Sequence, residues 1–200
     1  MSKRDGLSLF LSIAAIVCLG WAGHAPAASI DEPVLLVAQR ELQSPLYSST
    51  VLLVKPLPNG AHIGFIVNKP TKMKLGELFP EHEPSKKIAD PLFLGGPAVL
   101  NTVFALVERH DGAHGDSLQI TPDLFLAAEA KAVDRIIEAE ADHARFFVGM
   151  VVWRPGELGD EIQQGLWFVE QPEAKLVLDK KTDGLWEGLV RRFEARAKTI

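Results

Sequence analysis

The run Phe146–Trp153, FFVGMVVW, carries no charged and no hydrogen-bonding side chain before its Trp, and it stops at Arg154-Pro155. It is shorter than the ten or so residues of an ordinary buried helix, and rich in β-branched and aromatic side chains. It therefore reads as a buried strand. Other short runs of the same kind surround it. Val34–Gln39 and Thr50–Lys55 read as strands, and Ala61–Val67 returns as a third. Between the last two lies Leu57-Pro58-Asn59-Gly60, where Pro fixes one dihedral and Asn-Gly tolerates positive φ, so these strands form a hairpin. Asn68-Lys69-Pro70 is expected to end it, because Pro70 has no N–H for a ladder. Further strands are expected at Pro91–Leu94 and Thr102–Val107, on either side of Gly95-Gly96-Pro97. Ser117–Ile120 pairs back across a loop, and Leu166–Glu170 forms another strand.

Helical patterns are fewer. Leu75–Phe79 reads as a short turn. Pro155–Gln164 has Pro near its start and Gly165 past its end. Gly184–Lys198 places Leu185, Trp186, Leu189, Val190 and Phe193 on one side. Thr121–Glu140 is ambiguous: Thr121-Pro122 suits a helix start, yet Leu124-Phe125-Leu126 also suits a buried strand with a helix following near Glu129. Many strands with a few helices in mixed order predict an α+β sheet or partial barrel, not a repeating βαβ fold.

The first thirty residues differ from the rest. Lys3 and Arg4 precede Leu7–Gly23, an uncharged stretch of 17 residues, and Ala25-Pro26-Ala27 follows. A basic start, an apolar middle and small residues at the end are the plan of a secretory signal, with cleavage expected after Ala27. The expected organisation is thus a signal peptide over residues 1–27 and a single domain over 28–200. The alternative is an uncleaved anchor through residues 7–23. Removing residues 1–27 leaves 173 residues with 19 basic and 25 acidic side chains, a net charge of −6, and no cysteine. A cysteine-free chain suits an oxidising compartment and excludes thiol catalysis and thiolate metal sites. The expected location is the periplasm, or the membrane by that anchor; a cytoplasmic location requires a different reading of the N-terminus. The acidic balance argues against a surface that neutralises phosphates, so a nucleic-acid partner is not expected.

Chemistry is sparse. The chain has no nucleophile elbow, dinucleotide or phosphate loop, zinc-protease helix or calcium loop motif. His110 and His114, with Asp111 and Asp116, make a set able to hold a divalent ion, though turn residues give the same pattern. His82, between Glu81 and Glu83, reads as surface. Glu157 and Glu161 are four apart on the predicted helix and share a face with potential for acid–base work; Asp160 lies beside them. Gly95-Gly96-Pro97 allows a close backbone approach. Trp153, Trp167 and Trp186 read as core. On this basis no catalytic residue, cofactor site or metal site is assigned.

Four stretches, in order, resemble the YqgE/AlgH family. They are Ser44–Leu53 (SPLYSSTVLL, like DPxFxxTVVLL), Gly64–Pro70 (GFIVNKP, like GxVxNxP), Leu94–Pro97 (LGGP) and Trp153–Leu158 with Glu161 and Trp167 (like W-x-P-G-Q-L-x-x-E…W). The resemblance spans about Val34 to Trp186. It implies one α+β domain with a split, mostly antiparallel sheet folded into a pseudo-barrel and flanked by a few helices, with Leu124–Ala128 a strand and Ala130–Glu138 a helix. It brings no catalytic residues. Asn68, Lys69, Pro70, Gly95, Gly96, Pro97, Trp153, Pro155, Gly156, Glu157 and Glu161 are motif positions, candidates for a ligand or partner surface. Two departures stand out: an export-like segment that typical members lack, and Glu157 where the family commonly has Gln. The leading expectation is an exported, non-enzymatic binding or accessory domain with an unidentified protein or small-molecule partner. A regulator of gene expression, as the family label suggests, is the first alternative. A hydrolase-like or metal-dependent enzyme is the second.

Overall fold

The computed structural model describes residues 30–109 and 117–198. Its strands are β1 (Val34–Ala38), β2 (Val51–Pro56), β3 (His62–Ile66), β4 (Pro70–Lys74), β5 (Pro91–Leu94), β6 (Ala98–Glu108), β7 (Ser117–Gln119), β8 (Leu124–Ala127), β9 (Ala144–Trp153) and β10 (Trp167–Glu170). Six α-helices accompany them: α1 (Leu75–Leu78), α2 (Glu83–Lys86), α3 (Ala130–Ala139), α4 (Glu157–Gln163), α5 (Ala174–Leu178) and α6 (Leu185–Ala197). The strands form a curled sheet in the order β10-β1-β2-β3-β9-β6-β8-β7, with β4 and β5 beside that path. Neighbours are antiparallel except for β5 and β9. The result is a single α+β domain built on a half-barrel.

β9, the FFVGMVVW run with its two preceding residues, is the hinge of this sheet. Its first half pairs with β6 on one side and β5 on the other, and its last three residues pair with β3. The neighbour changes at Gly149, whose φ of 70° places it in the left-handed region. Gly95 and Gly96 cross there. A methyl on Gly95 would lie 2.2 Å from the Gly149 carbonyl oxygen, and one on Gly96 would lie 2.3 Å from the Met150 carbonyl carbon. The two glycines of the LGGP stretch thus let one backbone press against another, which any Cβ would prevent.

The β2–β3 hairpin and α6 form where the sequence places them, and Gly60 takes positive φ in the hairpin turn; the ambiguous Thr121–Glu140 segment resolves into β8 followed by α3, as the family resemblance implies. α6 lays Leu189 and Val190 into the core under β1, and Phe193 stacks on Phe168 with ring centroids 4.7 Å apart. Pro70 corrects one expectation. It ends the run of β3 but opens β4, whose PTKMK carries no apolar alternation; a proline is tolerated as a strand's first residue. α2 and α5 are further elements without a sequence signal.

The candidate binding recess

Near the end of β9, Trp153 is 3% exposed and its indole Nε1–H donates to Glu161 Oε2 at 3.0 Å. Trp167, at the start of β10 and 5% exposed, donates its own Nε1–H to the same oxygen at 2.8 Å. Two buried indoles thus find their acceptor in one half-buried carboxylate. The arrangement satisfies donors that would otherwise be costly to bury. Gly64 on β3 makes room for it: a methyl there would sit 2.7 Å from the Trp153 ring.

The local sequence sets up the carboxylate. Gly156 caps α4 with φ 86°, a conformation open to glycine, and this turns the chain sharply after Pro155. The Glu157 side chain then accepts from the Arg154 backbone N–H at 2.8 Å, closing the helix start. One turn later Glu161 faces the indoles. The pairing of β1 with β10 sets Ala38 against Trp167, and that of β3 with β9 sets His62 against Trp153. These registers place both rings under α4.

Tyr47 completes the wall, edge-on to Trp167 with ring centroids 6.4 Å apart. It comes from the Ser44–Leu53 stretch, held by the next motif. Lys69 Nζ donates to the Leu46 carbonyl at 2.5 Å, and Asn68 Nδ2 donates to the Ser49 carbonyl at 2.8 Å. Asn68 Oδ1 accepts from the Val51 N–H at 2.8 Å. Asn68 and Lys69 therefore anchor the chain on both sides of Tyr47. Together Tyr47, Trp153, Trp167, Glu157, Glu161 and the flank of Val152 line a recess of about 150 Å³. Desolvation chiefly, then the charges of Glu161 and Glu157, push the Tyr47 phenol above its ordinary value. Glu161 Oε1 has no hydrogen-bond partner and Glu161 has no ion-pair partner among the described residues.

The candidates of the sequence thus separate. Trp153, Pro155, Gly156, Glu157 and Glu161 form or shape the recess; Asn68 and Lys69 support it. Gly95 and Gly96 act on the backbone of β9, with Pro97 following them, and Pro70 lies at an exposed strand start. His82 is not plain surface: its Nδ1 meets Ser85 Oγ at 2.7 Å and its Nε2 lies 3.6 Å from Glu138, joining α2 to α3. Trp186 packs partly against the core and donates to the Ala38 carbonyl at 2.7 Å. His110, Asp111, His114 and Asp116 lie outside the described residues. Among those described, no group of three or more metal-ligating side chains is present.

Sequence reasoning missed Arg145. It is 1% exposed, on β9 four residues before Gly149. Its guanidinium donates to the Val177 carbonyl at 2.6 Å and to the Val67 carbonyl, and lies over the Phe93 ring at 3.6 Å. Nε has no partner. Burial pushes the group down to about 9, opposed by the charge of Asp179. Tyr47 was also not singled out, although it sits inside a motif stretch.

A half-barrel with this recess at one edge of β9 defines a class of fold, and comparison with known proteins places the chain within it. The model of the AlgH-like family (DUF179) matches residues 35–198. The chain belongs to that family. A UPF0301 protein of Chlorobaculum tepidum, CT0663, is 31% identical over 160 residues, covering 78% of this chain and 83% of the relative. One from Chlamydia muridarum is 27% identical over 175 residues, 86% and 90% of the two chains. Among solved structures, the AlgH protein of Pseudomonas aeruginosa superposes with a TM-score of 0.68 at 16% identity, covering 80% of this chain and 87% of that one. Protein DIP2367 of Corynebacterium diphtheriae gives 0.65 at 21%, with 82% and 87% covered. These structures share the fold.

Proposed function

We propose that this chain is an exported, non-enzymatic binding or accessory domain whose contact site is the recess between Tyr47, Trp153, Trp167 and Glu161. The observation that carries the reading is Glu161. Its carboxylate is held by two indoles and has no cationic counterpart among the described residues. Buried side chains hold it in place while acceptor capacity is left for something else. Three of the four motif stretches converge on that point, and what they build is a surface recess.

The role of enzyme is less well supported. Glu157 and Glu161 do share a face, but each already serves as a fixed acceptor, one for a helix start and one for two indoles. The export part rests on residues 1–27 of the sequence, outside the described residues. A regulator acting on the chromosome would have to be cytoplasmic and to overcome an acidic net charge.

Two measurements test the proposal. Cell fractionation with mass-spectrometric mapping of the N-terminus is expected to give an extracytoplasmic chain, starting near Ala28 or intact at the membrane; a soluble cytosolic chain would refute export. Affinity capture with the wild type and with Val152→Arg, which sets a bulky cation at the recess, is expected to yield a stoichiometric partner that the variant loses. A partner retained equally by both would remove the recess from the reading.

A further inference from the structure

The chemistry of the recess narrows what it takes. We propose that it is an anchor pocket for a single arginine side chain of a partner polypeptide. The inference rests on the recess being the binding site, and goes beyond it in naming the occupant.

Size comes first. At about 150 Å³ the recess is smaller than the several hundred Å³ common for whole small-molecule sites, and suits one side-chain head. Charge is the second argument. Glu161 and Glu157 are the charged groups lining the recess, both acidic, and Glu161 has no ion-pair partner among the described residues. The chain as a whole carries a net −5, which favours encounter with a basic segment.

Shape is the third. The wall is aromatic on Tyr47, Trp153 and Trp167, with ring edges and faces meeting near one carboxylate. A planar guanidinium both stacks on such rings and donates in parallel to a carboxylate, whereas an ammonium is a strongly hydrated point charge. The indoles spend their N–H groups on Glu161 and have no donor left to repel a cation. Val152, at the lip, is 48% exposed. An apolar lip residue of this kind matches the near-neutral contacts that exclude water around a buried anchor.

The test uses the full chain, ¹⁵N-labelled, titrated with acetyl-arginine amide at constant ionic strength. The indole N–H signals of Trp153 and Trp167 report the recess; that of Trp186, bonded to the Ala38 carbonyl, is the internal control. Saturable movement of the first two with Trp186 fixed is expected, with a dissociation constant of order millimolar for so small a probe. Acetyl-citrulline amide, the neutral isostere, is expected to bind at least about tenfold more weakly, as is acetyl-arginine amide to Glu161→Gln. Glu157→Gln, on the exposed side, gives a smaller loss and guards against a folding defect in the first variant. Absence of saturation, equal binding of citrulline, or an unaffected Glu161→Gln would overturn the proposal; acetyl-lysine amide binding as tightly as arginine would overturn its guanidinium specificity. If Val152→Arg loses a captured partner while arginine does not bind, this inference fails alone. If arginine binds and the partner is indifferent to Val152→Arg, the proposed function fails alone.

Discussion

The two ends of β9 each hold a charge that forms no ion pair among the described residues, and they do so in opposite ways. Near the start, Arg145 is sealed: two backbone carbonyls and the Phe93 ring surround it, and 1% of the residue is exposed. Past the other end, Glu161 is half-buried and held by two indoles beside an open recess. Fixed dipoles take the place of an ion partner in both cases. The sealed cation has its ligands supplied by the fold, so its role is to tie α5 to the end of β3. The open anion keeps an unused oxygen toward the surface. A buried charge is thus not in itself a mark of function; what distinguishes the two is whether acceptor or donor capacity remains within reach of solvent.

The change that disrupts both ends at once is Gly96→Ala. Its methyl has backbone rather than a flexible side chain against it, so the two strands must separate where β9 changes neighbour. A loss of about 3 kcal/mol or more is expected in chemical denaturation, at the upper end for point substitutions. Gly156→Ala, with nothing within 4 Å of the added methyl, is expected to cost less, through its φ of 86° alone.

Arg145 comes next. Replacement by Ala removes the donors of two carbonyls and opens a cavity beneath Phe93, at an expected cost of about 3 kcal/mol. Arg145→Met keeps most of the volume and removes a desolvated charge, so its loss is expected to be about 1 kcal/mol. A Met variant as damaging as the Ala variant would show that the charge itself, not the filling, holds α5.

Asn68→Ala tests the support of the recess. Two hydrogen bonds at 2.8 Å are lost, and about 1–2 kcal/mol of stability with them. Ligand binding at Tyr47 should weaken with the fold otherwise intact by circular dichroism.

The smallest effect is electrostatic. The sequence has a single tyrosine, so absorbance near 295 nm reads Tyr47 alone. Its phenol titrates above its ordinary value of 10.0 because of burial and then the two glutamates. The folded chain therefore holds that proton where the unfolded chain has released it. The stabilising contribution is complete below about 10 and is lost as pH rises through the raised value. Glu161→Gln should move the titration down part of the way, since burial is the larger cause. A titration that does not move would show that the Glu161 charge does not act on the phenol.

Much of this frame was legible in the sequence. FFVGMVVW announced β9 through its composition alone, Pro-Asn-Gly marked the hairpin, and the periodic side of Gly184–Lys198 became α6. The aromatic and acidic members of the recess were visible as well, as Trp153, Glu161 and Trp167 in one motif. Their meeting on a single oxygen was not, because it depends on the β1–β10 and β3–β9 registers, which join distant segments. Arg145 was hidden for the same reason: its two carbonyl partners lie 32 and 78 residues away. β4, α2 and α5 are short, and their stability comes from what they pack against, not from local pattern. Residues 1–27 carried the export expectation and residues 110–116 hold the His and Asp set weighed as a metal site, and both lie outside the described residues.

Whether Glu161 is an acceptor shared by two indoles with capacity to spare is read from the indole N–H spectrum of the wild type and Glu161→Gln. The Trp153 and Trp167 signals are both expected to shift and to exchange faster with solvent in the variant, while Trp186 is unchanged. Signals from Trp153 and Trp167 that stay in place, or only one that moves, would contradict it.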